Sequence, residues 1–160
     1  MKTTQQDSDW MRAAFDEAVR GMNNNEGGPF GAVVVMDGKV IGKGNNRVTS
    51  LNDPTAHAEV TAIRDACKRM KRFHLPEAVI YTTCEPCPMC LSAIYWANIK
   101  TIYYCSTRRD AKAIGFDDKY IYDEVKKPLK ERDVPCVKLL IPEGPELFTK
   151  WTTKTDKTRY

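Results

Sequence analysis

At 160 residues, 42% hydrophobic and 29% charged, the chain is sized for a single domain with a proper core and lacks the bias of a disordered or fibrous sequence. No apolar run approaches the roughly 20 residues that span a bilayer, and the polar start Met1-Lys2-Thr3-Thr4-Gln5-Gln6 carries no signal-peptide core. The net charge of +4 permits nucleic-acid binding but does not argue for it, because no basic cluster interleaves with aromatics.

The predicted elements follow in order. Asp7, Ser8 or Asp9 caps a first helix, with Met11, Ala14, Phe15, Ala18 and Met22 at helical spacing. Residues 23–29 form a polar, Gly-rich break. Ala32 to Met36 reads as a buried strand, Asp37-Gly38 as a hairpin turn, and Val40 to Gly42 as the return strand. Asp53-Pro54 opens a second helix with Val60, Ile63, Cys67 and Met70 on one face. Ala78 to Thr83 is a strand, and Pro88 suits the first turn of a helix running to about Asn98. Thr101 to Ser106 is a strand, residues 111–127 hold short helical pieces, Cys136 to Ile141 is a last strand, and Glu146 to Lys157 a last helix. This order predicts an α/β fold: a three-layer α/β/α sandwich around a mixed five-stranded sheet.

Six cysteines without a secretion signal point to a reducing, cytoplasmic compartment, with thiols used for metal or packing. Two fragments concentrate the chemistry. Pro54-Thr55-Ala56-His57-Ala58-Glu59 and Pro86-Cys87-Pro88-Met89-Cys90 together read H-x-E followed by P-C-x-x-C. One His and two Cys give three metal ligands and leave a fourth tetrahedral position for water, whereas a structural zinc site is closed by a fourth protein ligand. Glu59, two residues from His57, is a proton carrier beside that position.

On an ideal helix, residues two apart point to nearly opposite sides. His57 and Glu59 therefore share a site only over a helix N-terminus. The same holds for Cys87 as cap and Cys90 at the third helical position. Helix N-termini favour thiolate. Cys84 also pairs with Cys87 as C-x-x-C, but the end of its strand turns it away, so Cys87 and Cys90 are the expected ligands. Cys67, Cys105 and Cys136 read as core packing, and His74 as an exposed turn residue.

The ordered pattern is the signature of the zinc-dependent nucleobase deaminases. Gly27 to Val33, Asn52 to Arg64 and Cys84 to Cys90 resemble the cytidine-deaminase-fold guanine deaminases, as do Ala93-Ile94-Tyr95-Trp96-Ala97 and Gly115-Phe116-Asp117-Asp118. The H-A-E and P-C-x-x-C pieces are shared with tRNA adenosine and cytosine deaminases. The Gly-Phe-Asp-Asp segment and Trp96 resemble the guanine branch. The resemblance implies one zinc-dependent deaminase domain over residues 1–160, a role in purine metabolism, and a homodimer whose C-terminal segment, about 143–160, is exchanged between subunits. It implies Zn²⁺ on His57, Cys87 and Cys90, catalysis by Glu59 and Asp118, and a purine base as the small-molecule partner. It also implies substrate contacts at His57 and Ala58, Phe30 stacked on the base, Asn46 bonded to its edge, Trp96 as a pocket wall and Tyr160 as a terminal lid. Taken alone, Phe30 and Trp96 read as core residues, Asn46 as a turn residue and Asp118 as an exposed turn acid.

The chemistry of guanine agrees with the Asp118 assignment. Its N1–H and 2-amino group are adjacent donors that match an acceptor-only carboxylate, while adenine offers a donor beside an acceptor. The expected reaction is hydrolysis of guanine to xanthine and ammonia. Rival readings are a guanosine deaminase, a tRNA adenosine deaminase and a catalytically silent zinc-binding protein. Glu59 argues against the last, and the weak charge against the tRNA enzyme.

Overall fold

The computed structural model describes residues 3–159; Tyr160 and the lid role expected of it lie outside them. The chain divides into two compact units, Met1–Tyr122 and Asp123–Tyr160.

The first unit is built on a four-stranded sheet in the order β2-β1-β3-β4. Its strands are β1 (Gly31–Met36), β2 (Lys39–Asn45), β3 (Val79–Cys84) and β4 (Thr101–Ser106). β1 runs antiparallel to both β2 and β3, and β3 runs parallel to β4. The β1–β2 hairpin turns at Asp37 (φ 50°) and Gly38 (φ 71°), the left-handed pair that a two-residue turn demands.

Alternation along β1 divides the core. Ala32 and Val34 face one buried cluster with Ala62, Ile63, Ile80 and Ile94, while Val33 and Val35 face another with Ala14 and Tyr81. The strand is therefore apolar on both sides, as a central strand must be when helices cover both faces. Helix α1 (Gln5–Asn23) covers one face, and α3 (Ala58–Met70) with α4 (Pro88–Trp96) covers the other, giving the three-layer arrangement.

Glycines set how closely α3 approaches β2. A Cβ on Gly44 would sit 2.4 Å from the Ala58 carbonyl oxygen, and one on Gly42 2.4 Å from that of Ala62. The N-terminus of α3 is thus pressed onto the sheet where its first residues carry the site.

Several expectations are corrected. The sheet has four strands, not five: 136–141 forms no strand. A strand needs an edge to exchange hydrogen bonds with, and the described elements of its own unit are helical: the end of α6 (Lys119–Lys126), a 3₁₀ turn (Leu129–Glu131) and α7 (Glu143–Thr153). The first helix begins at Gln5 with Thr4 as its cap. The Thr4 hydroxyl accepts from the Asp7 N–H at 3.2 Å while the Asp7 carboxylate accepts from the Thr4 N–H at 2.7 Å, so Asp7 is the third helical residue of a capping box. Buried Ala14, Ala18 and Gly21 form its inner face, leaving Phe15 and Met22 exposed.

The second long helix opens at Ala58 rather than Asp53. A short helix α2 (Val48–Leu51) precedes it, Asn52 is left-handed (φ 50°), and the Asp53 carboxylate accepts the Thr55 N–H at 2.8 Å, which commits that stretch to a turn. Cys105 and Cys136 are exposed and Cys67 half-buried, so these thiols are not uniformly core. Cys105 sits on the edge strand β4, whose outer residues lack a covering neighbour in the sheet. His74 is half-buried, its ring edge-on to Phe73. Among the described residues, no helix is long and apolar enough to cross a membrane.

Candidate active site

Two helix N-termini meet at the site. His57 is the N-cap of α3 (φ −69°, ψ 158°), and Cys87 is the N-cap of α4 (φ −67°, ψ 169°), with Pro88 at its first position. Caps take extended backbone angles, so each side chain projects past the end of its helix rather than along its side. Cys90, inside the first turn of α4 and fully buried, completes the group.

His57 Nδ1 lies 3.6 Å from Cys87 Sγ and 3.5 Å from Cys90 Sγ. Zinc bonds of about 2.3 Å to sulfur and 2.0–2.1 Å to nitrogen, at the tetrahedral angle, separate the two donors by about 3.6 Å. The three donor atoms, all within 4.8 Å of one another, therefore have the spacing and the N/S chemistry that a tetrahedral zinc requires. Cys90 donates its S–H to Cys87, which holds the Cys87 thiol down at about 4 and pushes Cys90 up. Two sulfurs sharing one proton are the state that a bound dication displaces. Cys84, last residue of β3, is different. It is buried, its sulfur approaches the Thr107 carbonyl at 3.6 Å, and burial pushes its thiol up to about 11.

A cavity of about 500 Å³ opens beside this group. It brings together His57, Cys87, Glu59, Phe30, Asn46 and Asp118 among the residues singled out in the sequence. Glu59 is 6% exposed, and burial raises its carboxyl above the ordinary range. Asp118 is partly buried and also raised, chiefly by desolvation, with the Arg108 guanidinium pulling the other way. Neighbouring Asp117 instead pairs with Lys112 at 2.8 Å and accepts the Lys119 N–H at 3.0 Å. Asn46 is 5% exposed, its Oδ1 accepting from the Val48 N–H at 3.2 Å.

Trp96 and the Ala58 side chain do not line this cavity, and Tyr160 lies outside the described residues. Trp96, expected as a pocket wall, is 67% exposed at the end of α4 and does not line this cavity. Six residues beyond Cys90 it lies about 9 Å further along the helix and about two-thirds of a turn away in direction. Ala58 is buried in the core, so its methyl is not a lining group; a free N–H of the first helical turn is what that position offers.

The cavity also includes residues to which the sequence assigns no role: Glu85, Arg108, Phe116 and Ile121. Phe116 meets Phe30 edge-to-face, with centroids 4.9 Å apart. It lies in the Gly-Phe-Asp-Asp segment already noted, so a signal existed. Arg108, within a plain run of charged residues, had none.

Comparison with known proteins agrees with this geometry. Residues 4–106 match the model of the cytidine and deoxycytidylate deaminase zinc-binding region, and the chain belongs to that family. Within it, the chain is 48% identical over 151 residues to the guanine deaminase of Bacillus subtilis (strain 168), covering 94% of this chain and 97% of that one. The X-ray structure of guanine deaminase from Bacillus subtilis superposes with a TM-score of 0.93 at 46% identity, covering 99% of each chain. A tRNA-specific adenosine deaminase of Agrobacterium fabrum (strain C58) is 46% identical over 95 residues, only 59% of this chain and 62% of that relative.

Proposed function

We propose that this chain hydrolyses guanine to xanthine and ammonia. The observation that carries the reading is the placement of the partly buried Asp118 carboxylate in the same cavity as Glu59 and the His57–Cys87–Cys90 group. The near-full-length similarity to a guanine deaminase supports it, since the tRNA deaminase match ends well short of the chain.

His57, Cys87 and Cys90 would hold a zinc ion. When bound, the ion supplies a Lewis-acidic position that lowers the pKa of water. The chain's own residues do the rest. Asp118 accepts hydrogen bonds from N1–H and the 2-amino group, which fixes C2 toward the proton carrier. Glu59, buried at the cavity wall and raised in pKa, takes a proton from the attacking water and returns it to a ring nitrogen of the base. As the C2–N bond breaks, the second proton of the attacking water, now on the oxygen bonded to C2, is relayed by Asp118 to the departing amino group, which leaves as ammonia. Phe30 stacks on the base, with Phe116 behind it, and Asn46 offers its amide to the base edge.

A homodimer is part of this proposal. In the second unit, Val137, Leu139, Leu140 and Phe148 are each at least 74% exposed, an apolar burden that a second copy relieves. The segment about 143–160 would then be exchanged, bringing Tyr160 over the partner's base. The six free cysteines support a reducing, cytoplasmic setting, with purine metabolism as the context.

The test is ammonia release with guanine, guanosine, ammeline, adenine, cytidine and a tRNA anticodon stem. Guanine should be turned over best. Faster turnover of guanosine would retain the metal chemistry and reject the free base as substrate; activity confined to the tRNA stem would reject the purine-base reading.

A further inference from the structure

The cavity contains one cation whose surroundings are built more closely than its place in the sequence suggests. Arg108, the first residue of α5 (Arg108–Ala113), is half-buried, and its guanidinium carbon stands 4.0 Å above the centroid of the Tyr122 ring. Its Nε lies 3.9 Å from Asp118 Oδ1. Its backbone N–H donates to Glu85 Oε2 at 3.3 Å, and the Glu85 N–H donates to the Ser106 carbonyl at 2.8 Å. Tyr122 is tied at both ends. Its hydroxyl donates to the Pro86 carbonyl at 2.9 Å, immediately before Cys87, and its N–H donates to the Asp118 carbonyl at 3.1 Å.

These contacts close a circuit. Asp118 begins the turn that carries Tyr122, Tyr122 is fastened to the segment that carries Cys87, and the Tyr122 ring supports the cation that faces the Asp118 carboxylate. A guanidinium stacked on a ring loses rotational freedom and keeps its charge. At 3.9 Å it attracts the carboxylate without a short hydrogen bond, since these close at about 3.2 Å. Asp118 is thereby drawn to one side while its oxygens remain acceptors for a ligand. Asp117 is held off by Lys112, so the two adjacent acids are sorted by two different cations.

We propose that Arg108, seated on Tyr122, is a positioning residue that aims the Asp118 carboxylate at the donor edge of the base. The inference rests on the reading of Asp118 as the group that binds guanine. It assigns Arg108 no proton transfer and no direct bond to substrate. Its loss should weaken recognition of the base through Asp118 alone, and a lysine, which restores charge without the stacked plane, should rescue only part of it.

The test is a double-mutant cycle on the zinc-loaded enzyme with Arg108→Gln, Asp118→Asn and both together, plus Arg108→Lys and Tyr122→Phe. Steady-state kinetics with guanine and metal content are read for each. Arg108→Gln should lower kcat/KM about tenfold in the wild-type background and by less than about twofold in the Asp118→Asn background, because coupled residues are non-additive. Arg108→Lys should fall between Arg108→Gln and wild type. Tyr122→Phe keeps the ring and loses the Pro86 anchor, so a smaller loss carried mainly in KM is expected. Zinc should stay at the wild-type level throughout. An impaired Asp118→Asn beside an unimpaired Arg108→Gln would overturn the positioning role alone. Losses that multiply in the double variant would do the same, since Arg108 would then act elsewhere. An unimpaired Asp118→Asn would overturn the reading of Asp118 and this inference with it.

Discussion

His57 Nδ1 lies 3.5 Å from Cys90 Sγ, although 33 positions separate them in the chain. The contact exists because α3 and α4 start at the same place, with His57 capping one and Cys87 and Cys90 in the cap and first turn of the other. A site made this way depends on two short segments and not on long-range strain. Removing one donor should empty it without unfolding the sheet.

The first prediction follows. Purified protein should contain about one zinc per chain. Cys87→Ala or Cys90→Ala should lose most of it, whereas Cys84→Ala should retain it, because Cys84 stands outside the donor group. Metal analysis on folded variants checks this. Loss confined to Cys84→Ala would reassign the ligands.

Glu59→Gln keeps the shape of a side chain that is 6% exposed but removes the titratable carboxyl that takes up and releases a proton. Turnover should fall by roughly 10²–10⁴, the usual contribution of a general acid–base group, while zinc stays bound. Stopped assays on the metal-loaded variant decide the matter, and near-normal turnover would end the role proposed for Glu59.

The legibility of the fold varied with the range of the forces involved. The β1–β2 hairpin, β3 and β4 were readable because turn chemistry and period-two burial are local. Cys87 as cap and Pro88 at the first position were readable because helix starts are written in two or three residues. The opening of α3 was displaced from Asp53 to Ala58 because two polar side chains, Asn52 and Asp53, can make a turn as well as a cap. The strand expected at Cys136 to Ile141 failed for a different reason: its composition is strand-like, but pairing is a property of a neighbour. At the cavity, the clustering of His57, Cys87 and Cys90 and the nearness of Glu59 were legible from spacing. Phe30, Asn46 and Asp118 needed a family resemblance, and Arg108 was invisible, since nothing local marks an arginine that will meet Tyr122 fourteen residues later.

The half-buried Cys87 and the buried Cys84 sit in environments that shift their thiols in opposite directions, which gives a third prediction. Cys87 is held down at about 4 and Cys84 is pushed up to about 11. In metal-stripped protein at pH 7, Cys87 should be mainly thiolate and Cys84 mainly thiol. Iodoacetamide labelling followed by peptide mass spectrometry should show Cys87 modified much faster, with Cys84 gaining on it as pH rises toward 11. Zinc should protect Cys87. Equal rates at pH 7 would contradict the assigned charge states.

Stability in acid should depend on one long-range contact. The Tyr81 hydroxyl donates to Asp7 Oδ1 at 2.6 Å, joining β3 to the start of α1, and this bond is the chief reason the Asp7 carboxyl sits below its ordinary 3.8. A carboxyl whose folded pKa is depressed adds stability above its unfolded pKa and loses it as pH falls through the folded value. Tyr81→Phe should therefore melt below wild type at pH 6, and the gap should narrow as pH falls below 4. Thermal melts of both proteins across pH 3–7 test the sign. A gap that widens in acid would reverse it.

The last prediction concerns the second unit. Ends of chains are usually frayed and dispensable, yet here Leu139 and Leu140 are about 80% exposed and α7 follows them, with Phe148 74% exposed. If residues 143–160 cover the site of a second copy, deleting them should raise KM or lower kcat for guanine while the sheet stays folded by circular dichroism. Mixing then separates a lid that acts within its own chain from one that acts across the dimer. Tail-deleted chains keep Glu59 but lack the lid, and Glu59→Gln chains keep the lid but lack the proton carrier. Refolded together at equal amounts, half of the dimers are hybrids, and each hybrid has one pocket with both parts if the tail crosses over. About a quarter of wild-type activity should return. Activity no higher than the sum of the two separate variants would place the lid within its own subunit. A truncated enzyme with wild-type kinetics would show that the tail has no part in the pocket.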